Sequence, residues 1–107
     1  MDAAKSRESS AALVLGQALD ESTKALIGRF ARQTARKSCS ALEIDLRRIV
    51  FVTPHGWATL LWTLYHLKVH NGCAITVMAN SRLRKLSELS VLTRFAQVYY
   101  DCEEAVS

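Results

Sequence analysis

Leu42-Glu43-Ile44-Asp45-Leu46-Arg47-Arg48-Ile49-Val50-Phe51-Val52-Thr53-Pro54-His55-Gly56 is the stretch on which the fold turns. Its first five residues alternate apolar and polar, which puts Leu42, Ile44 and Leu46 on one face of a strand. Beyond Arg47-Arg48, Ile49 to Val52 is apolar throughout, the pattern of a strand buried on both faces. Together these predict strand structure over 42–52, with Ile49 to Val52 the most buried segment of the chain. Thr53-Pro54-His55-Gly56 stops the run and opens a helix. Thr53 can accept an orphan amide proton as N-cap, and Pro54 falls at the first helical position, where its missing N–H costs nothing.

Downstream, Trp57, Leu60, Leu61, Leu64 and Leu67 form one apolar stripe at helical spacing. This predicts a helix over 54–70, with Asn71-Gly72 as its left-handed cap. Cys73 to Met78 is apolar and β-branched, so a strand is expected near 74–78. Asn80-Ser81 then caps a helix near 81–90, in which Leu83, Leu86 and Leu89 are spaced by three. A strand near 95–100 and a last helical turn from Asp101 to Val106 complete the chain.

Upstream, Ser38-Cys39-Ser40 is a turn, preceded by an amphipathic helix over 22–37. Leu19-Asp20-Glu21-Ser22-Thr23 carries the helix-start signal, and Leu26, Ile27, Phe30 and Thr34 recur on one face. Leu13, Val14 and Leu15 belong to a strand near 11–16 closed by Gly16. Residues 1–10 read as a loose arm, and 11–107 as a single domain. Strands and helices alternate, so the expected class is α/β: one mostly parallel mixed sheet of about four strands with three to four helices.

The chain has 107 residues, half of them apolar, which suffices for one core without metal or disulfide. No apolar run reaches the roughly 20 residues of a membrane span, and the polar start lacks the apolar centre of a signal peptide. A cytoplasmic protein is therefore expected. Cys39, Cys73 and Cys102 are odd in number and far apart, so they are expected as free thiols rather than ligands or redox pairs. Twelve Lys/Arg against three acids between Ser22 and Arg94 give the body +9, while the chain as a whole is +4. A basic body can meet nucleic acid or an acidic partner surface.

The order of these motifs resembles the STAS family, the fold of bacterial anti-sigma-factor antagonists. The matches are Gly16; Leu19-Asp20-Glu21-Ser22-Thr23; Ile44-Asp45-Leu46; Val50-Phe51-Val52; Gly56-Trp57 with Leu60; Asn71-Gly72; Asn80, Leu86 and Leu92; and Phe95 with Val98. The resemblance as a whole covers residues 11 to 106. The resemblance implies a bacterial signalling or transcription-regulating domain that acts by binding a protein, without catalysis. The implied partner is an anti-sigma factor, itself a serine kinase, which phosphorylates a Ser in an Asp-Ser-Ser-Gly loop and thereby ejects the antagonist. Here that loop is Thr53-Pro54-His55-Gly56. His55 stands at the acceptor position, so the usual switch is expected to be missing. Thr53 is the one hydroxyl left in the loop and the one candidate for phosphate, although its role as N-cap competes.

Helical geometry adds an argument independent of the family. At 100° per residue Trp62 lies opposite Leu60, Leu61 and Leu64, with Ala58, Thr59, His66 and Val69 beside it and Tyr65 at the edge. A helix apolar on its outward side docks against something, and a Trp flanked by small residues is a typical anchor. The expected partner-binding set is thus Thr53, Pro54, His55, Gly56, Ala58, Thr59, Trp62, Tyr65 and His66. His66 and His70 stand four apart, but no third ligand follows at a supporting spacing, so no metal is expected. No cofactor motif and no catalytic constellation is present. Arg29, Arg32 and Arg36 form a basic helix face without interleaved aromatics, which disfavours nucleic acid as the partner. Within the same family, a subunit of an ATP-driven lipid transporter, bound to an ABC-type ATPase, is one alternative; a basic nucleic-acid-binding domain is the alternative from another class. The sequence does not fix the oligomeric state.

Overall fold

The computed structural model describes residues 10–83 and 89–100. Four strands, β1 (Ser10–Val14), β3 (Ala41–Leu46), β5 (Ala74–Ala79) and β6 (Gln97–Tyr100), form one sheet in the order β1-β3-β5-β6, every pair parallel. β2 (Ala18–Leu19) and β4 (Phe51–Val52) make a separate two-stranded parallel ladder. The helices are α1 (Lys24–Lys37), α2 (Pro54–Asn71) and the short α3 (Leu89–Leu92), with a 3₁₀ turn over Glu21–Thr23 ahead of α1. The architecture is the α/β class with a parallel four-stranded sheet that the alternation of strand and helix signals predicts. Residues 1–9, 84–88 and 101–107 lie outside the described residues, and with them most of the expected arm, the middle of the expected 81–90 helix and the expected last turn.

The register explains where the core sits. Leu13, Ile44, Val77 and Val98 are cross-strand neighbours in one row across the whole sheet. Leu46, Ala79 and Tyr100 make another row on the same face, as do Ala11, Leu42 and Ile75. Side chains alternate sides along a strand, so this face takes nearly all the buried sheet residues. α1 adds Ile27 and Phe30, and α2 adds Trp57, Leu60, Leu64 and Leu67. Each fully buried Leu contributes about 1.5–3 kcal/mol of transfer free energy. The opposite face is polar or small at most positions, with Ala12, Glu43 and Gln97 exposed.

The segment 42–52 departs from expectation. It is not one strand, and Ile49 to Val52 is not the most buried run. After Leu46 the chain turns: the Asp45 carboxylate accepts from the Arg47 backbone N–H at 3.0 Å, and Ile49 N–H donates to Leu46 O at 3.1 Å. The turn carries the chain out of the main sheet. Asn80 holds it there, its amide donating to the carbonyls of Arg47 (3.0 Å) and Ile49 (2.9 Å). Only Ile49 is then buried, with Val52 partly buried against the core. Val50 and Phe51 are 59% and 54% exposed, because β4 pairs with two-residue β2 at the margin instead of entering the sheet centre. An apolar run reports apolarity, and a backbone turn decides whether it is covered.

The helix ends form as the sequence predicts. Asp20 Oδ1 accepts from Ser22 N–H, while Thr23 Oγ1 accepts from Asp20 N–H, a reciprocal cap. Gly72 closes α2 in the left-handed conformation, φ 67°, with its N–H returning to Lys68 O. Ser38 closes α1 at φ 56°, a left-handed residue that is not glycine.

Candidate functional site: the outward face of the long helix

α2 begins where β4 delivers the chain beside the 3₁₀ turn. Thr53 N–H donates to Leu19 O at 2.9 Å, and Thr53 Oγ1 accepts from Gly56 N–H at 3.0 Å, so Thr53 is the N-cap. A depression of about 520 Å³ is lined by Thr53, Pro54 and His55 on one side and Asp20, Glu21 and Ser22 on the other. The fold thus brings the helix-start motif of α1 against the loop that opens α2, two segments 30 residues apart in sequence. Gly56 is buried against Leu19 and Asp20. It sets the depth of the loop and presents no surface, so it leaves the expected contact set.

From this end α2 carries two sets of side chains. Trp57, Leu60, Leu64 and Leu67 face the core. On the other side Trp62 is 64% exposed, with Tyr65 and Val69 exposed as well. The outward aromatics touch one another. Trp62 meets the His66 ring edge-on at 4.4 Å between centroids and lies roughly parallel to Tyr65 at 6.2 Å. Tyr65 meets Phe95 edge-on at 5.9 Å, and His66 stacks on His70 at 5.0 Å. The result is a run of rings from Phe95 through Tyr65, Trp62 and His66 to His70. Offset and edge-on pairs of this kind hold rings in fixed orientation, which lowers the entropy lost when a partner packs on them.

A groove of about 890 Å³ runs along this face, lined by His55, Ala58, Thr59, Leu61, Trp62, Tyr65, Val91 and Phe95. Five of the nine residues expected from sequence, namely His55, Ala58, Thr59, Trp62 and Tyr65, come together here. Thr53 and Pro54 line the neighbouring depression, and His66 backs Trp62. Leu61, Val91 and Phe95 complete the groove. Leu61 serves both sides: half-buried, it packs against the core as the stripe predicts and also lines the groove. Val91 and Phe95 come from the segment before β6, and no local periodicity marks them as neighbours of α2.

A further depression, of about 790 Å³, adjoins this groove on the side of α1. Lys24, Ala25, Gly28, Arg29 and Arg32 line it from α1, and Thr59, Trp62 and Thr63 from α2, with Glu21 and Ser22 at its end. Trp62 and Thr59 belong to both depressions, so Trp62 is the ridge between an apolar groove and a basic one.

Electrostatics elsewhere are simple. Arg47 donates through Nε and Nη2 to the two oxygens of Asp45 at 3.1 and 2.9 Å, which holds the carboxyl below its usual range. Cys39 and Cys73 are buried free thiols, and burial pushes the Cys73 thiol up. Burial denies both thiols the access a nucleophile needs. Among the described residues no group of three His, Cys, Asp or Glu is placed to hold a metal ion. No described helix is long and apolar enough to cross a membrane.

No family model matches the chain, and no curated protein matches it.

Proposed function

We propose that this chain is a non-enzymatic protein-binding domain of the STAS type, which engages an anti-sigma factor or a related kinase-like ATPase through α2 and the loop that opens it. The observation that carries the reading is the exposed Trp62, held in a run of rings beside an apolar groove. A large aromatic surface left in water is costly in a monomer and marks an interaction site. The chemistry of the face agrees: the walls are mostly apolar, and the Thr59 hydroxyl is engaged in donating to His55 O at 3.0 Å, which suits packing against a protein. His55 occupies the position at which the resembled family carries its acceptor Ser, so the complex is constitutive with respect to that kinase reaction.

The test pairs two variants. The native partner is captured from cells with the tagged chain, purified, and titrated against the wild type, Trp62→Ala and Leu60→Ala. Trp62→Ala is expected to weaken binding by about 2 kcal/mol, some thirtyfold, as hot-spot aromatics do, with little change in thermal stability. Leu60, fully buried, is expected to behave oppositely, costing about 2–5 kcal/mol of stability. Partner affinity unchanged by Trp62→Ala in the folded protein would refute the assignment of this face.

A further inference from the structure

Building on the docking reading above, we infer that the occupant of this face is an acidic amphipathic helix of the partner, its apolar side on the Trp62 groove and its carboxylates on Lys24, Arg29 and Arg32. The two depressions are contiguous and differ in character. One is walled by Leu61, Trp62, Tyr65, Val91 and Phe95. The other is floored by Ala25 and Gly28 and rimmed by Lys24, Arg29 and Arg32. All three cations are exposed, and among the described residues none is ion-paired with a carboxylate. A single acid, Glu21, lies at the end of that lining. The surface therefore presents an apolar strip flanked along one side by unneutralised positive charge, and its complement is an apolar strip flanked by carboxylates.

Two features select a helix as the shape of that complement. The apolar groove is lined by residues of α2, of α3 and of the turn after it, none of them in a strand, so an extended peptide laid on these side chains meets no backbone ladder to pair with its own N–H and C=O groups. A helix satisfies its own backbone and offers side chains alone, which is how helix-in-groove recognition works. Small residues also make room on the basic side. Gly28 lacks a Cβ, and the Arg32 guanidinium lies across it, Nη1 3.5 Å from where that Cβ would stand. The guanidinium thus sits over Gly28 in the depression, and a guanidinium can meet a carboxylate with two parallel N–H donors. A bilayer is the other surface that attracts aromatic and basic side chains together, but these rings line depressions, and a flat lipid surface does not fill a depression.

The experiment uses fluorescein-labelled stapled helical peptides of about 18 residues, five turns long. All share one leucine face and differ in a flank of either Glu or Lys. Anisotropy titrations against the full chain at low salt are expected to favour the Glu peptide by at least about tenfold. The order is expected to reverse with Arg29→Glu/Arg32→Glu, whose altered positions are exposed and whose fold is checked by circular dichroism. Trp62→Ala is expected to weaken both peptides. Equal affinity for the two peptides that still depends on Trp62 would overturn the acidic-helix assignment and leave the docking face standing. Binding of neither peptide, or binding indifferent to Trp62, would also overturn it. Tighter association with phosphatidylglycerol vesicles than with either peptide would overturn it in favour of lipid.

Discussion

Gly56, in the first turn of α2, rests directly on the backbone of Leu19 and Asp20: a Cβ built on it would stand 2.6 Å from Asp20 Cα. The neighbouring atoms are main chain and cannot rotate aside. This contact ties α2 to the β2 end of the small ladder, alongside the Thr53 N–H bond to Leu19 O. It also accounts for the one residue that the opening loop of α2 shares with the motif it resembles. Glycine is required there by the close approach of two backbones, whatever chemistry the other loop positions serve.

Gly56→Ala is accordingly expected to be far more damaging than its helical position implies. In an open helix the change is favourable by about 1 kcal/mol. Here it forces α2 away from Leu19 and Asp20, at a cost of about 3 kcal/mol by analogy with overpacked cores. Urea denaturation measures it, and a variant as stable as the wild type would show that the two backbones are not in contact.

Thr34 gives a prediction of opposite sign. Its side chain is 1% exposed, and Oγ1 has no hydrogen-bond partner among the described residues. A buried hydroxyl without a partner costs about 1–3 kcal/mol. Thr34→Val keeps the shape, removes the polar atom and changes helix propensity little. It is expected to raise stability by about 1 kcal/mol, or roughly 4–8 °C in melting temperature for a domain of this size. A lower melting temperature would show that the hydroxyl is satisfied in solution.

How much of this was legible in the sequence depends on which force decides each feature. Local chemistry fixes the caps at Asp20, Thr53 and Gly72, and all three are readable from residue type and position. Strict alternation identifies Leu42, Ile44 and Leu46 as core, because β3 is covered on one face. The outward position of Trp62 follows from helical geometry alone. Ile49 to Val52 reads as a buried strand, but its burial depends on Asn80, 31 residues beyond Ile49, holding the turn after Leu46. Leu61 lies near the stripe's edge, and there it both packs against the core, as the stripe predicts, and lines the groove, which angle alone does not tell. Val91, Phe95 and the basic rim on α1 join the site through tertiary packing, which no periodicity within one element carries.

Asp45 gives the molecule a defined acid response. Its carboxyl is lowered by the Arg47 hydrogen bonds, so the folded state holds the proton less tightly than the unfolded chain. Such a group stabilises fully above the ordinary carboxylate value of about 4 and loses that contribution as pH falls through the lowered folded value. Arg47 is half exposed, so the effect is small, under about 1 kcal/mol. Asp45→Asn is expected to be less stable than the wild type between about pH 5 and 8, with the difference shrinking in acid. A difference independent of pH would locate the role of Asp45 in turn geometry instead of charge.

The last prediction concerns Thr53, where capping and modification compete for one oxygen. Its Oγ1 accepts from Gly56 N–H, and the residue is half-buried beside Asp20 and Ser22. Thr53→Val removes the acceptor, leaves that N–H without its partner and is expected to cost about 1 kcal/mol. Thr53→Asp keeps an acceptor and adds a negative charge where the helix N-terminus favours one, so its stability should equal or slightly exceed the wild type. The resembled motif carries Asp at this position, consistent with a capping site that tolerates either side chain. Phosphate is a different matter: it would turn the capping oxygen into an ester and place nearly two negative charges beside Asp20 and Glu21. Incubation with an anti-sigma kinase and ATP is therefore expected to leave the chain unmodified, as read by intact mass. Stoichiometric phosphate on Thr53 would show that the regulatory hydroxyl had moved two residues towards the N-terminus, and that capping is the lesser of its roles.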